Sequence, residues 1–127
     1  MSKEHIIVIK EDSTCRIVPY VQGTTKAQLH QLQKLVGGYI QIVPYKRQDF
    51  IMIVDEEGVF KDTGLNRLAT EATGGTPIMG TAVIAKTAVI NDEGEEDICG
   101  MSMNEAVEWL SDIAKTTNHK ICIEIGG

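Results

Sequence analysis

Leu32 to Ala85 reads LQKLVGGYIQIVPYKRQDFIMIVDEEGVFKDTGLNRLATEATGGTPIMGTAVIA, and the order of its punctuation decides the fold. Gly37 follows the last apolar residue of a helical stripe, where a left-handed C-cap belongs, and Gly38 loosens the exit. Tyr39 to Tyr45 alternates as a strand does, with Ile40 and Ile42 on one face and Tyr39, Gln41 and Val43 on the other. Lys46 to Asp49 is a charged turn. Phe50 to Val54 is almost continuously apolar, the pattern of a central strand covered on both faces. Asp55 to Gly58 closes that strand; Gly58 is expected to take a positive φ, and Val59 and Phe60 to begin a short returning strand. Leu65, Leu68, Ala69 and Ala72 recur at helical spacing, which predicts a short helix from Asn66 to Thr73 stopped by Gly74 and Gly75. Ile78 to Ala85 is a strand interrupted at Gly80, and Thr87 to Ile90 continues or pairs with it.

Upstream, His5 to Lys10 and Cys15 to Val21 read as a hairpin around a polar turn. Pro19 cannot donate to a ladder, so the second strand is an edge or ends near it. Thr25 is expected to start a helix with Gln28 as its capping-box partner, and Ala27, Leu29, Leu32, Leu35 and Val36 form its buried stripe. Downstream, Asn91 to Asp97 is an acidic segment expected to be a structureless connector. Ser102 and Glu105 form an S-x-x-E box that opens a third helix. Met103, Ala106, Val107, Leu110, Ile113 and Ala114 are its inner stripe, with Trp109 at its edge. Ile121 to Ile125 is a last strand, its isoleucines facing in and Glu124 out. This order predicts a single α+β domain over residues 1–127, with a mixed or antiparallel sheet and three helices.

The 127 residues are 43% hydrophobic and 24% charged, with a net charge of −6, ordinary for a globular domain. That charge argues against a nucleic-acid partner, which calls for a basic face. No run approaches the apolar length of a membrane span, and the first residues lack the pattern of a secretion signal. Cys15, Cys99 and Cys122 are scattered and odd in number, as expected of reduced thiols in a cytoplasm. The three histidines share no ligand spacing, so neither a metal nor a cofactor is expected.

Gly75 to Thr81 has the glycine spacing of a phosphate loop but lacks its lysine and precedes a strand. The carboxylates of residues 92–97 do not follow an EF-hand pattern, and Asp55, Glu56 and Glu57 sit on a turn that leaves them in water rather than tuned for acid–base work. Asn66 is accounted for as a helix N-cap. Arg67 opposes the helix dipole; it either pairs with Glu56, Glu57 or Glu71, or meets an anionic ligand. Tyr39, Tyr45 and Arg47 lie near one another in sequence and complete the candidate ligand-binding set with Asn66 and Arg67.

The strings LQKLVGGYIQIV, IVDEEGVF, NRLAT and GTAVI, in this order, resemble the family called domain of unknown function 3846, found largely in phages and mobile elements of bacteria. The resemblance runs from about Arg16 to Ala85, giving a family-like core of about residues 16–90, an acidic connector over 91–100 and a C-terminal helix and strand over 101–127. It supplies no catalytic residues or cofactor. It implies a phage-type accessory protein in the cytoplasm of a bacterial host. The leading expectation is a non-enzymatic protein that acts by stoichiometric binding, sequestering a small anionic, nucleotide-like signal in counter-defence. One alternative is an inhibitor or regulator of a host protein, acting through a strand edge near Pro19 or Pro44; a second is a small hydrolase. A homodimer or higher homo-oligomer is expected under either binding reading, since open sheet edges pair across symmetry axes.

Overall fold

β-branched runs separated by capped helices produce the element order β1 (His5–Ile9), β2 (Thr14–Pro19), α1 (Thr25–Val36), β3 (Ile40–Val43), β4 (Phe50–Asp55), α2 (Arg67–Ala72), β5 (Ala82–Val89), β6 (Glu96–Cys99), α3 (Met103–Thr117) and β7 (Cys122–Ile125). The computed structural model describes residues 4–43, 49–61, 63–89, 92–94, 96–117 and 122–125. The strands form one mixed sheet in the order β3-β4-β5-β1-β2-β7, with β6 also paired to β5. Every pairing is antiparallel except that of β2 with β7. The fold is α+β, as expected.

Alternation along the strands gives the sheet two apolar faces. Ile7, Ile9, Cys15, Ile17, Met52, Val54 and Ile84 point to one, where α2 and α3 cover them with Leu68, Ala69, Ala106, Trp109 and Leu110. Ile6, Val8, Ile53, Val83 and Ala85 point to the other, under Leu32 and Val36 of α1. β4 contributes to both clusters, so its unbroken apolar sequence reflects burial on two sides.

The caps explain where the helices stop and start. Gly37 takes φ 89° and its N–H donates to the Gln33 carbonyl at 2.8 Å, the predicted left-handed ending. Ser102 and Glu105 close a reciprocal box: Glu105 N–H donates to Ser102 Oγ at 3.1 Å, and Ser102 N–H to Glu105 Oε1 at 3.0 Å. At the start of α1 the cap is one residue earlier than expected. Thr24 Oγ1 accepts from Ala27 N–H at 3.1 Å, while Gln28 Nε2 donates to the Val21 carbonyl instead of closing a box.

Several sequence expectations are corrected by packing. Val59 and Phe60 belong to a 3-10 turn, Gly58–Phe60, rather than a strand, and Gly58 does not have a positive φ. Its lack of a side chain matters for another reason: a Cβ there would lie 3.0 Å from the Met79 carbonyl oxygen. Ile78 and Met79 precede the strand, which begins at Ala82 beyond the left-handed Gly80 and runs on through Val89. The acidic segment is not a connector throughout, because its end enters β6, which pairs with the part of β5 that extends past β1. Trp109 is fully buried and Val107 half exposed, so the inner face of α3 is rotated from the predicted stripe. Leu29 of α1 and Leu65, just before α2, are likewise exposed. Ile123 and Ile125 are exposed as well, since β7 ends the sheet and no helix covers it there. β2 ends at Pro19, the second of the two readings that proline allowed, and β7 pairs with Thr14 to Ile17 upstream of it.

Candidate functional site

Among the described residues singled out from sequence, Tyr39 does not share a hollow with Asn66 or Arg67. Asn66 is fully buried and all its polar capacity is engaged: Nδ2 donates to the Ile9 and Gly80 carbonyls, each at 2.9 Å, and Oδ1 accepts from Ala69 N–H at 3.1 Å. Its role is to cap α2 and fasten that helix to the end of β1. Arg67 projects into solvent from the first turn of α2 and forms no ion pair with Glu56, Glu57 or Glu71 among the described residues. Tyr45 and Arg47 lie outside the described residues.

Tyr39, 70% exposed, lines a hollow of about 310 Å³ with Gln33, Gly38, Asp55, Glu57 and Lys61. The electrostatics there do not suit an anion. Lys61 Nζ is held by Asp55 Oδ2 at 2.6 Å and by the Gly37 carbonyl at 2.9 Å, and Asp55 Oδ1 also accepts from Glu57 N–H at 3.0 Å. Burial pushes the Asp55 carboxyl up, but the Lys61 ammonium and the Glu57 N–H outweigh it and hold the group below the usual range. A Cβ on Gly38 would stand 2.6 Å from Asp55 Oδ1, so glycine lets the end of α1 approach this pair. Asp55 and Glu57 leave the hollow with one negative charge in excess of Lys61.

The basic counterpart lies beside α1, on the same sheet face. Arg16 stands opposite Val8 in the β1–β2 register, and Lys10 follows β1 in the same alternation. Lys34 and Gln31 approach from α1. Together with Val18, Leu35 and Thr81 they line a hollow of about 330 Å³. None of Lys10, Arg16 or Lys34 forms an ion pair among the described residues. This holds even though Glu124 of β7 is the register partner of Arg16.

The hydrogen bonds of the nearby carboxylates go to backbone groups. Glu11 accepts the Gly64 N–H at 2.9 Å. Asp12 accepts the Thr14 N–H at 3.0 Å, and the Thr14 side chain first and this N–H second hold its carboxyl below the usual range, with the Lys10 ammonium adding to the effect. Gln31 ties α1 to the strand exit, accepting from Val21 N–H at 2.8 Å and donating to the Pro19 carbonyl at 2.9 Å, which closes one end of the hollow. Lys34 also suits the C-terminal dipole of α1. Three cations gather here in a chain of net charge −6.

These residues were legible in part. Arg16 interrupts an apolar strand on the face opposite Cys15 and Ile17, and a hairpin register places it across from Val8. The approach of Lys34 depends on how α1 crosses the sheet, which no local pattern encodes. As for other chemistry, Cys15 is buried, and burial pushes the Cys99 thiol up, with Glu4 adding to the effect, so Cys99 stays protonated at neutral pH. No group of three or more metal-ligating side chains occurs among the described residues, and no helix among them is long and apolar enough to cross a membrane.

The model of the family described as Domain of unknown function (DUF3846) matches residues 3–111. The chain belongs to this family. The DUF3846 match reaches beyond the stretch that carries the sequence resemblance, taking in β1, the acidic segment and most of α3, and leaving β7 outside. No curated protein and no solved structure matches the chain.

Proposed function

We propose that this DUF3846 protein is a stoichiometric binder of a small organic anion, held in the hollow between α1 and the β1–β2 hairpin. The observation that carries the reading is the set of three cations, Lys10, Arg16 and Lys34, that form no ion pair among the described residues and stand around one concavity with an apolar floor of Val8, Val18 and Leu35. The three like charges repel one another, among the described residues only Lys10 feels a nearby carboxylate, that of Asp12, and an anionic ligand lowers the remaining cost. Arg16 offers the planar fork that grips a phosphate or carboxylate through two parallel bonds, while the lysines act as point charges. The volume of about 330 Å³ lies at the lower end of the range for small-molecule sites, and the apolar floor suits a ligand with a flat organic part attached to its charge. A nucleoside monophosphate has both features. In the phage setting that the family resemblance implies, such a ligand would be a nucleotide-like signal withdrawn from its receptor.

Isothermal titration with adenosine monophosphate, and separately with inorganic phosphate, tests this reading. The nucleotide is expected to bind with unit stoichiometry, more tightly than phosphate, and to be recovered chemically unchanged. Arg16→Gln is expected to weaken it at least about tenfold, the usual range for one charge-assisted contact. Absence of binding by both probes, or equal binding by the Arg16→Gln protein, overturns the assignment of this hollow. Conversion of the nucleotide during titration replaces binding with the hydrolase reading.

A further inference from the structure

We propose that the free edge of β3, at the opposite side of the sheet from β7, takes an extended segment of another protein in which apolar and basic residues alternate. This site is independent of the anion hollow. Among the described residues β3 ends the sheet, paired with β4 alone. The Tyr39 carbonyl accepts the Glu56 N–H at 2.8 Å across the Tyr39–Glu56 position of the β3–β4 register. Antiparallel pairs alternate between bonded and unbonded positions. Ile40 and Ile42 therefore turn their backbone N–H and C=O groups away from β4, towards the open edge, where an added strand would bond them.

The side chains bordering that edge specify the occupant. Ile42 is 48% exposed on the edge strand, and Val59 and Phe60, on the turn after β4, are 64% and 86% exposed. Val59 lines a cavity of about 210 Å³ with Gln41, Val43 and Met79, large enough for one apolar side chain. Two carboxylates face the hollows on either side of this turn, Glu56 in that cavity and Glu57 in the one beside Tyr39. Neither forms an ion pair among the described residues, whereas Asp55 between them is held by Lys61. Ile42 shares the α1 face of the sheet with Ile40, and the Glu56 cavity opens on the other face, so a segment with apolar residues beside Ile42 presents its alternate residues to Glu56, which favours lysine or arginine there. A second copy of this chain is a poor occupant, since each protomer carries a net charge of −6 and brings the same acids to the edge.

The probe is a short alternating Lys–Val peptide, with the matched Glu–Val peptide as control, titrated into the isotope-labelled full chain and followed by amide NMR. The expected result is saturable binding below about 1 mM for the Lys–Val peptide, with shifts centred on the Ile40 and Ile42 amides, and none for the Glu–Val peptide. The Glu56→Gln, Glu57→Gln double variant changes two exposed side chains and is expected to weaken binding about tenfold or more. Ile42→Pro removes a donor that points to the open edge, leaves the β3–β4 ladder intact, and is expected to abolish binding. Failure of Ile42→Pro to fold leaves the decision with the double variant. Three results overturn the proposal: equal binding of the two peptides, shifts that spare Ile40 and Ile42, or sedimentation showing a dimer that buries these amides.

Discussion

Asn66→Ala is expected to be among the most damaging single substitutions in the chain, although it removes only a small polar group. It breaks three buried hydrogen bonds at once and leaves the Ile9 and Gly80 carbonyls and the Ala69 N–H without partners. Each bond contributes about 1 kcal/mol net, and orphaned buried groups cost about 1–3 kcal/mol each, so the expected loss is about 3–5 kcal/mol. Set against a total stability of about 5–15 kcal/mol for a domain, this is a large fraction. With a urea dependence of about 2 kcal/mol per molar, the unfolding midpoint should fall by about 2 M. Equilibrium unfolding followed by Trp109 fluorescence measures it. Arg67→Ala, next in sequence but exposed and without an ion pair among the described residues, is the comparison and should shift stability by less than about 0.5 kcal/mol. A loss below about 1 kcal/mol for Asn66→Ala, or equal effects of the two substitutions, would show that this side chain does not hold α2 to β1 and would refute the reasoning.

Two further outcomes follow from the ion pairs. The folded-state pKa of Asp55 is depressed, so its contribution to stability is present above the unfolded carboxylate value and lost as pH falls through the lower folded one. Stability should therefore drop below about pH 4, and Asp55→Asn should flatten that acid limb while lowering stability at neutral pH, as read from urea titrations across pH. Glu105→Ala removes the side-chain arm of the α3 capping box, which accepts from Ser102 N–H, and the ion pair to Lys86, whose Nζ lies 2.6 Å from Oε2. Because that pair is partly exposed, the lost box bond dominates; a loss of about 1 kcal/mol and a drop of about 4 °C in Tm are expected by calorimetry.

What could be read in the sequence was whatever local chemistry determines. Gly37 and the Ser102–Glu105 box set helix ends within a few residues, and Phe50 to Val54 announced double-sided burial by having no polar position. β6 was illegible because acidic composition resembles a solvated linker, while the pairing that makes it a strand comes from β5 extending past β1. Trp109 and Val107 exchanged their expected places because helix periodicity gives a stripe but leaves its rotation to the surface beneath. The basic hollow required distant positions to meet: Lys10 and Arg16 belong to one hairpin, but Lys34 joins them only when α1 lies across the sheet. Asn66 was read from the right motif, and burial then determined which of its two roles applied.

The parallel pairing of β7 with β2 has a consequence for biosynthesis. A chain emerging from the ribosome can complete β1 to β6 and begin α3 before the partner of Thr14 to Ile17 exists. During that interval β2 presents an unpaired edge to every other nascent chain nearby, a setting for mispairing that grows with expression rate. Lowering the expression rate, or supplying a chaperone that occupies exposed strands, should then raise soluble yield.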